Sequence, residues 1–177
     1  MPQAPDAALP LTDAAEDPAF LKLRRRLTNR WLVGLFMLAK FPLGFFAGLR
    51  VKSLTRERCE TTVPFGWRTQ NPFRSMYFAA QAMAAELSTG ALALAAAELA
   101  PASVATLIVG IEGQFSKKAA SKVTFTCEEG ERFFAAARRT VATGEAVQVA
   151  AQSIGRLSDG TEVSRFTVTW SLKKRSA

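Results

Sequence analysis

Apolar positions along the chain recur with two different periods, and the switches between them predict its elements. Asp17-Pro18 has the form of an N-cap followed by proline at the first helical position. From there LKLRRRLTNRWLVGLFMLAKF keeps a helical spacing to Phe41, and Pro42 is expected to end or kink the helix. Beyond Leu49 the pattern turns extended. Cys59, Thr61, Val63 and Phe65 alternate with Arg58, Glu60, Thr62 and Pro64, as in a half-buried strand. Residues 66–74 read as a loop. A long helix is then predicted from Ser75, taken as its N-cap, to about Leu99, stopping short of Pro101. VATLIVGIEGQF is a nearly continuous apolar strand, and residues 122–128 alternate again. A short helix is expected over 131–142, with Phe133, Phe134, Ala137 and Val141 at helical spacing. Two further strands, 146–157 and 163–173, flank the hairpin turn Asp159-Gly160.

Strands joined by tight turns pair antiparallel, and one long helix on one antiparallel sheet is an α+β architecture. The expected organisation is a mobile leader over 1–17, rich in Ala, Pro and Asp, an amphipathic N-terminal helix over 18–49, and one domain over 50–177.

Composition narrows the chemistry. The chain of 177 residues contains no histidine, which excludes Ser-His-Asp and Cys-His catalysis and His-bearing zinc sites. Acid–base work falls to carboxylates, Lys, Tyr or Cys. A formal charge of +8 favours anionic partners: nucleic acid, anionic lipid, or a phosphorylated molecule such as coenzyme A. Cys59 and Cys127 lie in separate strand-like segments and read as reduced core cysteines of a cytoplasmic protein. The stretch 31–49 is the most apolar. Lys40 and Pro42 near its middle and the recurrent glycines argue against a membrane span, and no small-residue cleavage site marks a signal peptide. It reads as a helix covering a hydrophobic core or pocket. Arg24, Arg25, Arg26 and Arg30 beside it keep peripheral membrane contact as an alternative.

The central helix carries the most pointed signal. At 100° per residue, Ala79, Ala82, Glu86, Gly90 and Ala93 fall on one narrow face, almost free of side chains, which a sheet could approach closely. A lone carboxylate there is costly to bury. Met76, Met83, Leu87 and Leu94 form a neighbouring stripe that reads as plain core.

Strand, Asn-containing loop, enclosed helix and antiparallel sheet together resemble the hotdog fold, in which a sheet wraps one long helix. Acyl-CoA thioesterases of the phenylacetate-pathway type carry an Asn, then His-Gly-Gly at a small-residue helix start, then an acid nine residues after the His. Here Asn71 matches the Asn, Tyr77, Phe78 and Ala79 stand at His-Gly-Gly, and Glu86 stands at the acid. FSKKA (115–119) resembles the segment leading into the next strand, and DGTEVSRFTVTWSLKK resembles the closing hairpin. The resemblance spans roughly 50–173; the N-terminal helix and the 130–142 insertion are additional. It implies a thioesterase-like branch without an established function.

From that resemblance follow the site expectations. Glu86 acts as general base or nucleophile, and Asn71 orients the acid or a water. Ser75 and the helix start at Tyr77, Phe78 and Ala79 bind the substrate, with backbone amides for the oxyanion. Lys117 and Lys118, with Lys122 assisting, contact coenzyme A phosphates, and Phe36, Phe41, Phe45 and Phe46 line an acyl channel. No metal and no cofactor beyond the coenzyme A of the substrate is implied. Nine residues is half a turn out of phase, so Tyr77 and Glu86 point to opposite sides of one helix. The family resolves this with a homodimer, in some cases a tetramer. Two functions stay open: hydrolysis of an acyl thioester, and non-catalytic acyl or lipid binding. Nucleic acid is disfavoured, because the basic residues lack aromatic interleaving.

Overall fold

The computed structural model describes residues 17–176. The leader expected over 1–17 thus lies outside the described residues except for Asp17, whose carboxylate accepts a hydrogen bond from Ala19 N and caps the first helix.

Eleven elements follow in chain order. Helices α1 (Pro18–Thr28), α2 (Arg30–Lys40) and α3 (Pro42–Ala47) precede strands β1 (Arg50–Leu54) and β2 (Cys59–Val63). The central helix α4 (Phe78–Glu98) is followed by β3 (Val104–Phe115), β4 (Val123–Cys127), α5 (Gly130–Thr143), β5 (Val147–Arg156) and β6 (Glu162–Lys174). One six-stranded antiparallel sheet has the order β1-β2-β4-β5-β6-β3. This is the α+β hotdog architecture, with α4 as the helix that the sheet encloses.

The single helix expected over 18–41 is in fact two. Asn29 leaves helical geometry (φ −73°, ψ 119°), and its side-chain oxygen accepts from Trp31 N and Leu32 N, so it ends α1 and caps α2. The apolar spacing runs on across the break, which is why periodicity alone joins the two helices. As expected, the helix ends ahead of Pro42, at Lys40, and Pro42 then occupies the first position of α3.

The core forms where the sheet meets α4. Alternate residues of β2 and β4 (Cys59, Thr61, Val63; Val123, Phe125, Cys127) are buried, as are Phe166, Val168, Trp170 and Leu172 of β6. Cys59 and Cys127 are free thiols directly opposite one another across β2 and β4, and burial pushes both thiol pKa values up, that of Cys127 to about 11. Helix α5 packs beside α4 against β5 and β6. It begins at Gly130, whose amide donates to Glu57 O at 2.8 Å; a Cβ there would sit 1.9 Å from Arg56 O, so only glycine allows the approach.

Helix α4 is tied to the sheet by polar side chains buried on both sides. Thr61 Oγ1 donates to Ala84 O (2.6 Å) and Ser164 Oγ donates to Gln81 Oε1 (2.8 Å). Ser88 and Ser153 hydroxyls share a 2.7 Å hydrogen bond, and Trp170 Nε1 donates to Thr89 Oγ1 at 2.9 Å. These bonds set which side of α4 the sheet covers. Ala84, Ala85, Ser88, Leu92, Ala95 and Ala96 are fully buried. The face of Ala79, Ala82, Glu86 and Gly90 is only half-buried, contrary to the expectation that it is the sheet-facing side. Most positions of α4 are small, so side-chain size does little to choose a face and the hydrogen-bonding residues do. Toward its C-terminal end the expected face is covered: Ala93 is fully buried, and a Cβ on Gly90 would lie 3.2 Å from the Trp170 ring. Met83, Leu87 and Leu94 pack against the core while remaining partly exposed.

Candidate active site

The loop before α4 is organised by Asn71. Its side-chain oxygen accepts from Phe73 N (3.0 Å), Ser75 N (3.3 Å) and Ser75 Oγ (3.2 Å). Its own amide donates to Ser75 O at 2.8 Å. The tight loop holds Arg74 at φ 57°, the left-handed region that a non-glycine residue rarely enters. Because Asn71 engages both the amide and the hydroxyl of Ser75, Ser75 does not cap the helix. The cap position falls to Tyr77, two residues later than expected, and its side chain makes no capping bond.

That late, uncapped start leaves donors exposed. The first turn's Ala80 N and Gln81 N reach Tyr77 O, whereas Phe78 N and Ala79 N have no acceptor among the described residues. Met76 N donates to Ala119 O and Tyr77 N to Thr69 O, each at 2.7 Å, so the helix start is anchored between the 64–70 loop and the segment after β3.

A cleft of about 560 Å³ opens here, lined by residues 71–73, 75–78, 81 and 115–119. It gathers Asn71, Ser75, Tyr77, Phe78, Lys117 and Lys118 of the expected site. Phe73, Met76 and Phe115 add apolar wall; Tyr77 and Phe78 pack edge to face, centroids 4.7 Å apart. Gln81 also lines it and is buried, held by Ser164 and by its own bond to Met76 O at 3.4 Å. Sequence reasoning missed Gln81, since a lone glutamine among alanines resembles solvated helix. Lys118 Nζ lies 3.5 Å from Phe73 O across the mouth.

Ala79, Glu86 and Lys122 do not line this cleft. Neither do Phe36, Phe41, Phe45 and Phe46: they belong to α2 and α3 or the joint between them, and Phe36, Phe45 and Phe46 are exposed, so they form no channel to this cleft. Their apolar character was read correctly, but the topology sends α2 and α3 to the β1 side of the sheet.

Glu86 stands nine residues along α4, roughly 13 Å up the axis from Tyr77 at ~1.5 Å per residue. Its carboxylate has no hydrogen bond or ion pair among the described residues; a Cβ on Gly90 would come within 2.9 Å of its Oε1. Burial pushes its pKa from 4.5 up to about 7. On the same side of the sheet, Ile111 and Phe115 of β3 face outward into the open. Among the described residues β3 pairs only with β6, and its other edge, twelve residues long and apolar, is unpaired.

Solved structures share this architecture. A Pseudomonas aeruginosa protein of unknown function, described as a probable thioesterase, superposes with a TM-score of 0.65 at 20% identity, covering 88% of this chain and 96% of its own. A Haemophilus influenzae thioesterase gives 0.62 at 15% identity, covering 86% and 95%. A mutant thioesterase from P. aeruginosa gives 0.63 at 15%, covering 86% and 99%. At these identities the likeness establishes the hotdog fold. Among curated proteins none matches the sequence. The family model described as a domain of unknown function, DUF4442, matches residues 29–172, and the chain therefore belongs to the DUF4442 family.

Proposed function

We propose that the protein is a hydrolase of acyl thioesters such as acyl-CoA that works as a homodimer, with Glu86 of one protomer serving the cleft of its neighbour. The observation that carries this reading is the division of parts. One end of α4 has a free amide, a loop-ordering Asn and two lysines around a cleft, while the acid stands on the half-buried flank of the same helix. The bare edge of β3 offers the second copy a place to pair. Antiparallel pairing of two β3 strands sets the neighbour's cleft further along α4, on the side where Glu86 stands.

In the proposed reaction, ionised Glu86 takes a proton from water while the water oxygen attacks the thioester carbonyl carbon. The oxyanion that forms accepts from Phe78 N–H at the cleft wall, aided by the positive end of the helix dipole. Collapse breaks the C–S bond, and the proton returns from Glu86 to the departing thiolate. A pKa of about 7 suits a base that must both take and return a proton near neutrality. Lys117 and Lys118, both exposed at the rim, offer charge to coenzyme A phosphates. Four of the thirteen lining residues are aromatic, which suits an apolar acyl group.

Turnover of a panel of medium- and long-chain acyl-CoAs by Glu86→Gln tests this. The expected loss is about 10²–10⁴-fold; unchanged rates would sink the mechanism. A second reading, an acyl-binding protein without hydrolysis, is favoured by the Tyr77–Phe78 ring pair, which puts bulk where a thioester carbonyl would approach the amides. Acyl-CoA or fatty acid co-purifying by mass spectrometry, with no turnover across the panel, would select it.

A further inference from the structure

Among its described side chains helix α2 buries only Val33 and Met37, a stripe one residue wide. Around that stripe it presents Trp31 (74% exposed), Leu35 (69%) and Leu38 (48%), and α3 adds Leu43 (70%) and Phe46 (57%). The 64–68 loop lies against the end of α3: a Cβ on Gly48 would sit 3.0 Å from Pro64 and 3.9 Å from the Arg68 guanidinium. Trp67 of that loop, which borders the same hollow as Ala47, is the most exposed large apolar residue of all, at 85%. A helix that is apolar nearly all round and buried on one narrow stripe is not accounted for by its own core.

The charge around the patch has one sign. From Pro18 to Arg56 there is no Asp or Glu, while Lys22, Arg24, Arg25, Arg26, Arg30, Lys40, Arg50, Lys52 and Arg56 all fall there. Arg26, Lys52 and Arg56 are neutralised by Glu98, Glu60 and Glu131. Lys22, Arg24, Arg25, Lys40 and Arg50 are exposed and form no ion pair among the described residues.

We propose that α2, α3 and the Trp67 loop form a docking surface for an anionic lipid bilayer, on which the protein rests without crossing it. Apolar and aromatic side chains on α2 and α3, followed in the chain by the unpaired cations Lys40 and Arg50 and preceded by those of α1, are what an acidic headgroup layer over hydrocarbon complements. A second copy is a poor occupant. A two-fold interface lays a patch on itself, and this one would set unpaired cations against cations. Nor does pairing along β3 cover it, because β1 and β3 lie at opposite edges of the sheet, five strand spacings or ~24 Å apart. At eleven residues α2 is ~16 Å long, about half of the hydrocarbon thickness, so it lies in the interface plane.

The test is co-sedimentation of the full chain with vesicles of phosphatidylcholine alone, and with vesicles in which about a third of the lipid is phosphatidylglycerol. Binding should be about tenfold or more tighter to the anionic vesicles and weaken at high salt. The double variant Leu35→Ser, Leu43→Ser should lose about tenfold in vesicle affinity while keeping its far-ultraviolet circular dichroism and its gel-filtration mass. Equal or no partition into both vesicles overturns the proposal. So does a drop in the variant's mass, which would assign the patch to another copy. The same double variant should hydrolyse a soluble short-chain acyl-CoA at the wild-type rate, so failure of the docking surface and failure of the proposed hydrolysis are separately visible.

Discussion

Two helices of this protein are apolar on almost every side, and they meet opposite fates. α4 is enclosed by the sheet; α2 lies on the surface with its large side chains in the open. The difference is in side-chain size and in where the few polar groups fall. α4 is mostly Ala, with Ser, Thr and Gly, so strands can come close, and its Gln81, Ser88 and Thr89 each find a buried partner on β5 or β6. α2 is rich in Trp, Leu, Phe and Met, and its C-terminal Lys40 is exposed, so among its described side chains no polar group reaches into the core. Apolar composition therefore marks both, but only small size combined with satisfied polar groups marks the helix that a sheet can wrap.

The sharpest way to break this contrast is to give α4 the side chains of α2. Ala84→Leu puts three extra heavy atoms where the surface is fully closed and beside the carbonyl that Thr61 holds, and should cost about 3 kcal/mol or more by urea unfolding. A loss below about 1 kcal/mol would mean that the enclosure is looser than described.

Next in size is the one polar group of α4 that lacks a partner. Its folded pKa of about 7 lies above the ordinary 4.5, so between these values the folded chain keeps a proton that the unfolded chain has released. Stability should fall as pH rises from about 4.5 to 7 and level off above, by at most about 3 kcal/mol. In Glu86→Gln that slope should vanish, and the variant should be the more stable protein at pH 8. Thermal unfolding across this range reads both, and a slope that survives in Glu86→Gln would assign it to another group.

Trp170→Phe removes the donor to Thr89 and part of the ring that lies over Gly90. We expect about 1–2 kcal/mol, seen as a lower midpoint with an unchanged denaturant slope. The smallest effect belongs to α2: Leu35→Ser should change stability by less than about 0.5 kcal/mol, because the side chain it alters is already in water.

Much of the fold is legible in the residue pattern. Alternation located β2, β4 and β6, the Ala-rich run located α4, and the Phe133, Phe134, Ala137 spacing located α5 to within a residue or two. What failed did so where one side chain redirects backbone hydrogen bonds. Asn29 turns one periodic run into two helices, and Asn71 captures Ser75 and delays the start of α4; neither choice leaves a trace in hydrophobic spacing. The wheel found the face of Ala79, Ala82 and Glu86, but in a helix small all round it had no means of choosing the covered side. Of the expected site, the cleft residues 71–78 and 117–118 were within reach because they are near in sequence to the helix start. Gln81 was not, since its role depends on Ser164, 83 residues away.

The same buried bonds bear on the order in which the chain is made. Those that hold α4 join it to residues 65, 81 and 83 positions later, Ser153, Trp170 and Ser164. At about 5–20 residues per second, several seconds separate emergence of the helix from emergence of the last strand that encloses it. During that interval a 21-residue helix, long and apolar enough to cross a membrane, has only the three N-terminal helices, β1 and β2 ahead of it to lean on. The nascent chain is thus exposed to capture by an insertion apparatus or a chaperone at a stage that the finished protein never shows, and a slower passage through codons 100–170 lengthens that window.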